Sequence, residues 1–158
     1  MEDVKGLATP AVVRADAALD DHSFGFLNGT FHLKVSGAST GGGLCIYDTI
    51  RSEPGGPPQH IHAAQDEWFL VTEGEFDIKV GDALHHLLPG DSLLALRGIP
   101  HAFRNTTRTG RILVAFQPAG TMEAFFVEGS KLNPLTPAAF AELSARHGMR
   151  VVGPPLGQ

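Results

Sequence analysis

Residues 59–74 read QHIHAAQDEWFLVTEG: two histidines two positions apart, His60 and His62, then Glu67 five residues on and Gly74 seven beyond that. A third histidine, His101, follows in the stretch GIPHAFRN (98–105). Three imidazoles and one carboxylate are a donor set for a divalent first-row transition metal with coordination positions left open. In a strand, side chains at i and i+2 point the same way, so His60 and His62 face one side together. Glu67 lies at an odd offset from His62, and an unbroken strand would send it to the opposite face. Residues 63–66 must therefore bend the chain, which predicts Glu67 on the adjacent strand beside the histidines, with Phe69 and Val71 on the same inner face and Gly74 closing a hairpin. His101 is aimed by the Gly98-Ile99-Pro100 corner.

Around this segment, 19 glycines and 11 prolines interrupt short apolar runs at close intervals, the pattern of sandwiches and barrels. Phe31, Leu33 and Val35 alternate with polar residues, and 43–51 (GLCIYDTIR) reads as a second strand. Strands are further expected at 67–72, 75–80, 83–88, within 88–96, at 102–105 and at 111–117, about nine in all with the histidine strand. Gly81-Asp82 is a tight-turn dipeptide between two of them. Trp68 to Val71 and Ile112 to Phe116 are apolar at consecutive positions, the mark of strands buried on both faces. One face would line the barrel, and the other needs cover from the terminal segments or a second subunit, which predicts a homodimer. Helices are confined to the tail. One is expected from a Thr121 cap through Val127, with Glu123 in its first turn and Gly129 as its stop. Another opens at Thr136-Pro137, buries Phe140 and Leu143 and stops at Gly148. Residues 151–158 read as a loose end. The expected organisation is an N-terminal segment (1–29) packing on the barrel or a partner subunit, a barrel core (30–117) and a C-terminal segment with short helices (118–158).

Composition bounds the function. The 158 residues are 42% apolar and 18% charged, with a net charge of −5 and a pI near 5.8. This gives no electrostatic case for nucleic acid or an anionic membrane. No run approaches the ~20 apolar residues of a membrane span, and the start MEDVKGLATP has no secretory pattern. The single cysteine, Cys45, excludes an internal disulfide and fits a reducing cytoplasm, read as a small buried hydrophobe. His22, His32 and His147 lack ligand-like company. His85 and His86 are adjacent and point to opposite faces. Asp66 should face outward, and Asp91 reads as a turn residue.

The chain resembles the cupins, whose first motif, Gly-x5-His-x-His-x3–4-Glu-x6-Gly, is matched by His60, His62, Glu67 and Gly74, with Pro54 in place of the leading glycine. Their second motif, Gly-x5-Pro-x-Gly-x2-His-x3-Asn, is matched by Gly90, Gly98, His101 and Asn105, with Leu96 in place of the proline. The resemblance implies an all-β fold, an antiparallel jelly-roll β-barrel, with one divalent metal (Mn, Fe, Co, Ni, Cu or Zn) held inside one end by His60, His62, Glu67 and His101. PPQHIHAAQDEWFLVTEGEFDI, GIPHAFRN and PAGTMEAFFVEG further resemble bacterial quercetin 2,3-dioxygenase-like proteins. That narrower likeness implies a dioxygenase acting with O₂ on an enolic or aromatic, flavonol-like compound whose acidified hydroxyl loses its proton to Glu67. Phe69, Phe76, Phe103 and Phe116, with Leu44, Ile46 and Val114, are candidates for an apolar substrate wall. Gln59 and Asn105 are candidates to orient the imidazoles by hydrogen bonds. Two other functions fit a cupin. One is a metal-dependent isomerase, epimerase or lyase of a polar small molecule, which calls for further polar groups pointing inward. The other is a non-catalytic small-molecule-binding barrel.

Overall fold

The computed structural model describes residues 12–157. Its strands form two antiparallel sheets facing one another, as the alternation of apolar and polar residues predicts. The six-stranded sheet is built from β1 (Ser23–Phe26), β2 (Gly29–Val35), β3 (Cys45–Arg51), β5 (Asp66–Glu73), β8 (Ser92–Ala95) and β10 (Gly110–Gln117), in the order β1-β2-β3-β10-β5-β8. The five-stranded sheet holds β4 (Pro58–His62), β6 (Phe76–Val80), β7 (Ala83–Leu87), β9 (His101–Asn105) and β11 (Met149–Pro155), in the order β11-β4-β9-β6-β7. Two helices, α1 (Met122–Ser130) and α2 (Pro137–Arg146), follow β10. This is the expected all-β barrel with short C-terminal helices.

Strand register decides which side chains enter the barrel, because directly opposed residues share a face. Across the large sheet Cys45, Phe116, Glu67 and Ala95 are opposed in one row, all buried, while the next row, Ile46, Ala115, Trp68 and Leu94, faces out. The period is therefore two in β5. Phe69 and Val71 are wholly buried, whereas Trp68 is 37% exposed and Leu94 55%. The expected burial of both faces does not hold within one chain: among the described residues nothing covers the outer row, and the terminal segments go elsewhere.

Where they go is the main departure from the sequence reading. Residues 23–26 add β1 to the edge of the large sheet. Residues 149–155 form β11, taking in most of the 151–158 stretch expected as a loose end, and pair with β4, Met149 opposite His62 and Val151 opposite His60. An edge strand tolerates Pro154 and Pro155, which concealed it in the sequence. Helix α1 runs past the expected stop: Gly129 lies inside it, where a Cβ would run into the Phe26 ring, so the glycine serves close packing rather than termination. Thr121 makes no side-chain cap. Its hydroxyl meets His147 Nδ1 at 2.8 Å, and the Glu123 carboxylate accepts from the Ser36 hydroxyl and the Gly37 N–H. The second helix matches expectation, with the Thr136 hydroxyl accepting from the Ala139 N–H, Pro137 in the first turn, and Gly148 just beyond the end at φ +74°.

Two turns join the sheets instead of closing hairpins. Gly74, at φ +71°, is a corner at which the chain leaves β5 in one sheet for β6 in the other, and a Cβ there would approach Thr107 Oγ1 and the Thr109 carbonyl to 2.6 Å. Residues 63–65 make the same crossing from β4 to β5. Gly81-Asp82 is a true two-residue hairpin, with Val80 opposite Ala83.

Candidate metal centre

His60 and His62 come from β4 and His101 from β9 directly across the ladder, opposite His60. Glu67 does not return on the adjacent strand. The bend at 63–65 carries it to β5 in the facing sheet, so the carboxylate meets the imidazoles across the barrel interior. One nitrogen or oxygen from each of the four residues lies within 4.8 Å of all the others, and all four residues are buried. Glu67 Oε2 is 3.1 Å from His62 Nε2 and 2.8 Å from His101 Nε2.

The imidazoles are aimed by backbone. The Pro58 carbonyl lies 2.8 Å from His60 Nδ1; a carbonyl only accepts, so Nδ1 carries the proton and Nε2 turns its lone pair to the cavity. The Ile99 carbonyl lies 3.4 Å from His101 Nδ1, and the Gly98 N–H donates to the His62 carbonyl, tying the turn before β9 to the strand bearing the other ligands. Gln59 and Asn105 do not perform this task. Gln59 donates to the Pro154 carbonyl, and Asn105 donates to the Glu53 and Thr107 carbonyls while accepting from Asn28, so both satisfy strand ends. The absent motif glycine is made good nearby: Gly55 adopts φ +146°, and a Cβ on Gly56 would strike the Phe103 carbonyl.

Electrostatics keep the set ready for a cation. Burial, followed by the charges His101 and His62 would carry, pushes His60 down to about 3, so its ring is neutral at pH 7. For Glu67 burial acts upward and is the largest influence, but hydrogen bonds from His101 and His62 outweigh it and hold the carboxyl below its usual range. His62 Nδ1 is buried without a partner. A buried carboxylate amid converging imidazoles with no protein cation among them fits a divalent transition metal bound by His60, His62, Glu67 and His101.

The cluster opens into an apolar cavity of about 40 Å³, well short of the ~300–1,000 Å³ of ligand pockets, so a substrate enters only as the side chains of its wall move aside. Of the residues expected to line it, Phe103, Phe116 and Val114 do. Phe69 stands behind them, its ring centroid 5.2 Å from that of Phe103 and 6.1 Å from that of His101. Phe76 is buried at the far end against Gly110 and Asn105. Ile46 and Leu44 belong outside, beside Trp68 and Leu94, because Ile46 is out of phase with Cys45 and Tyr47. The rest of the wall comes from elements the sequence reading left out of the site: Phe26 and Phe31 of β1 and β2, and Phe125, Phe126 and Phe140 of the helices. Arg51, at the end of β3, also lines it. Its signal was legible: 45, 47, 49 and 51 share the inward phase, so a charge at 51 falls inside. Cys45 is buried in the core, where desolvation first, then Glu123 and Glu67, push its thiol up to about 12, and it is no nucleophile. His85 and His86 are exposed, Asp66 pairs outside with Arg97, and Asp91 accepts from the Leu88 N–H in its turn.

Residues 49–116 match the cupin domain family model. A stretch of 48 residues is 38% identical to Protein SchB of Streptomyces halstedii, covering 30% of this chain and 35% of that protein, so the match spans about a third of its length. Among solved structures, KdgF from a Halomonas species superposes with a TM-score of 0.59 at 15% identity, over 70% of this chain and 94% of that one. Oxalate decarboxylase from Bacillus subtilis gives 0.56 at 16% identity, over 70% of this chain and 31% of that one. These likenesses concern the fold. With the motif residues gathered at one end of a two-sheet barrel, the chain has a cupin-like fold, matched by the cupin domain model over residues 49–116, and carries a buried His₃Glu cluster suited to a divalent metal.

Proposed function

We propose that this protein is a metal-dependent enzyme that deprotonates and transforms a small enolic or phenolic compound in the barrel cavity, with O₂-dependent cleavage as the reaction. The observation that carries the reading is the position of Glu67, a buried carboxylate at once within the donor set and at the cavity wall. His60, His62, Glu67 and His101 would hold a divalent ion, which would supply Lewis acidity toward a substrate hydroxyl. Glu67, kept ionised by its histidine hydrogen bonds, is the proton acceptor, and its side chain is within reach of any hydroxyl seated among the ligands. Phe103, Phe116 and Phe126 exclude water from the reacting atoms and take the flat face of an unsaturated substrate.

Arg51 supports a second reading. An isomerase or lyase site calls for inward polar groups, and this guanidinium is one. A single experiment separates the two. Protein loaded in turn with Mn, Fe, Co, Ni, Cu and Zn is incubated with flavonols, catechols and small oxo acids in deuterated buffer, with oxygen consumption and proton exchange followed together. The dioxygenase reading expects O₂ uptake with at least one metal and substrate. Exchange or rearrangement with no oxygen consumed transfers the assignment to the isomerase or lyase class.

A further inference from the structure

We infer that Arg51 seats a carboxylate, so that the substrate class of this cavity is a small organic acid with a flat apolar body. The inference rests on the proposal that this cavity is the substrate site, and it adds the polarity and orientation of what enters.

Arg51 is 1% exposed, yet forms no ion pair with any carboxylate among the described residues. Its Nη1 donates to Asn28 Oδ1 at 2.9 Å, and its Nε is buried without a partner. A guanidinium carries five N–H donors in a fixed fork, and one neutral amide leaves most of that fork free. The side chain has space made for it. Its directly opposed neighbour on β2 is a glycine, Gly29, and a Cβ there would come within 3.2 Å of Arg51 Cδ and Nη1. The guanidinium carbon lies 5.2 Å from the Phe31 ring centroid and 5.1 Å from that of Phe103. These rings hold the cation by its attraction to their faces while offering it no hydrogen-bond acceptor.

The charge balance points the same way. Burial weakens Arg51's hold on its proton, with Glu67's charge offsetting part of the effect, and the group still titrates only at about 10, so it stays charged at neutral pH. Once a divalent cation occupies the ligands, Glu67 is, among the described residues, the one anion in the cavity wall, against that ion and Arg51. The cavity then holds surplus positive charge in a low dielectric, which an anionic ligand relieves. A planar carboxylate matches the free edge of the guanidinium, and Phe31 and Phe103 continue as walls for an apolar body. The end remote from the carboxylate would face the histidines.

The test uses benzoate and its neutral near-isostere benzamide on the full chain, metal-free and metal-loaded, with affinities from calorimetry. Metal-free wild type is expected to bind benzoate about tenfold or more tightly than benzamide. Arg51→Gln is expected to erase that preference while metal content, measured by elemental analysis, matches wild type; Arg51→Lys, which keeps the charge and loses the fork, is expected to recover part of it. Equal affinities for the two probes in wild type, binding of neither, or an undiminished preference in Arg51→Gln overturns the inference. The wild-type comparison decides the matter even if the Gln variant fails to fold. Failure of the metal reading looks different: the chain takes up no metal, while the metal-free preference for benzoate is unaffected.

Discussion

Acidifying the metal-free protein should destabilise it through His60. The ring is buried, and burial followed by the neighbouring imidazoles lowers its pKa from 6.5 to about 3. In the unfolded chain the same group titrates near ~6.5. Between those values the unfolded state holds the proton and the folded state does not, so stability rises with pH across the window and is lost as pH falls from the upper value toward the lower. Each unit corresponds to about 1.36 kcal/mol, so acidification to about pH 4.5 removes roughly 3 kcal/mol and the whole window roughly 5 kcal/mol. Against a typical net stability of ~5–15 kcal/mol, that is a large share. Glu67 adds to the loss further down. Its folded pKa lies below the ordinary value, so its contribution is present above that value and disappears as pH drops through the acid range. Urea unfolding of chelator-treated protein, followed by far-ultraviolet circular dichroism from neutral pH to about pH 4.5, measures the slope, with His60→Gln as comparison. The variant should show a shallower dependence by about one proton, whatever its baseline stability. Equal slopes in the two proteins would mean that His60 does not pass from charged to neutral on folding, and the reasoning fails.

Glu67→Ala should abolish turnover while three histidines retain part of the metal, whereas His62→Ala should lower occupancy more severely; elemental analysis after dialysis decides, and equal metal content in both variants and wild type refutes the coordination set. Phe126→Ala removes a buried ring in contact with Phe26, Phe31, Tyr47, Phe116 and Phe125 and should cost about 3–5 kcal/mol in denaturant unfolding. A loss under about 1 kcal/mol would mean that the helices are not closed over the barrel. The outer row of Ile46, Trp68 and Leu94 is expected to lie in a homodimer interface, so sedimentation should give twice the chain mass and Leu94→Glu should shift it to monomer; a concentration-independent monomer mass in wild type removes that expectation.

How much of this was legible in the sequence follows from the range of each signal. The ligand set and the inner face of β5 were readable because strand periodicity is local: His60 and His62 share a phase, as do Glu67, Phe69 and Val71. The sheet to which each strand belongs was not. The odd offset of Glu67 requires a bend before it, but a bend returning to a neighbouring strand and a bend crossing to the opposite sheet look alike in one dimension. Only pairing distinguishes them, and Glu67 pairs with Phe116 and Ala95, never with β4. The facing of Ile46 is hidden for a related reason. In an apolar run such as CIY either phase can be inward, and register against Ala115 and Trp68 sends Ile46 out.

The same argument explains why the cavity was harder to read than its metal ligands. Most of its apolar wall comes from chain ends, Phe26 and Phe31 before the motifs and Phe125, Phe126 and Phe140 after them, which meet only when α1 and α2 fold back over the barrel mouth. Nothing in the spacing of those residues refers to the histidines. Arg51 lies between these cases. Its inward phase could be counted from Tyr47 and Thr49, but a charge in the inward phase of a strand's last residue usually escapes to solvent by its long stem. Here it does not, because Asn28 accepts from it, Gly29 leaves it room, and Phe31 and Phe103 flank it. A buried cation held by four separate positions on two strands and a loop is costly to keep unless something that enters the cavity uses it. For that reason the substrate's charge is better argued from Arg51 than from the aromatic wall around it.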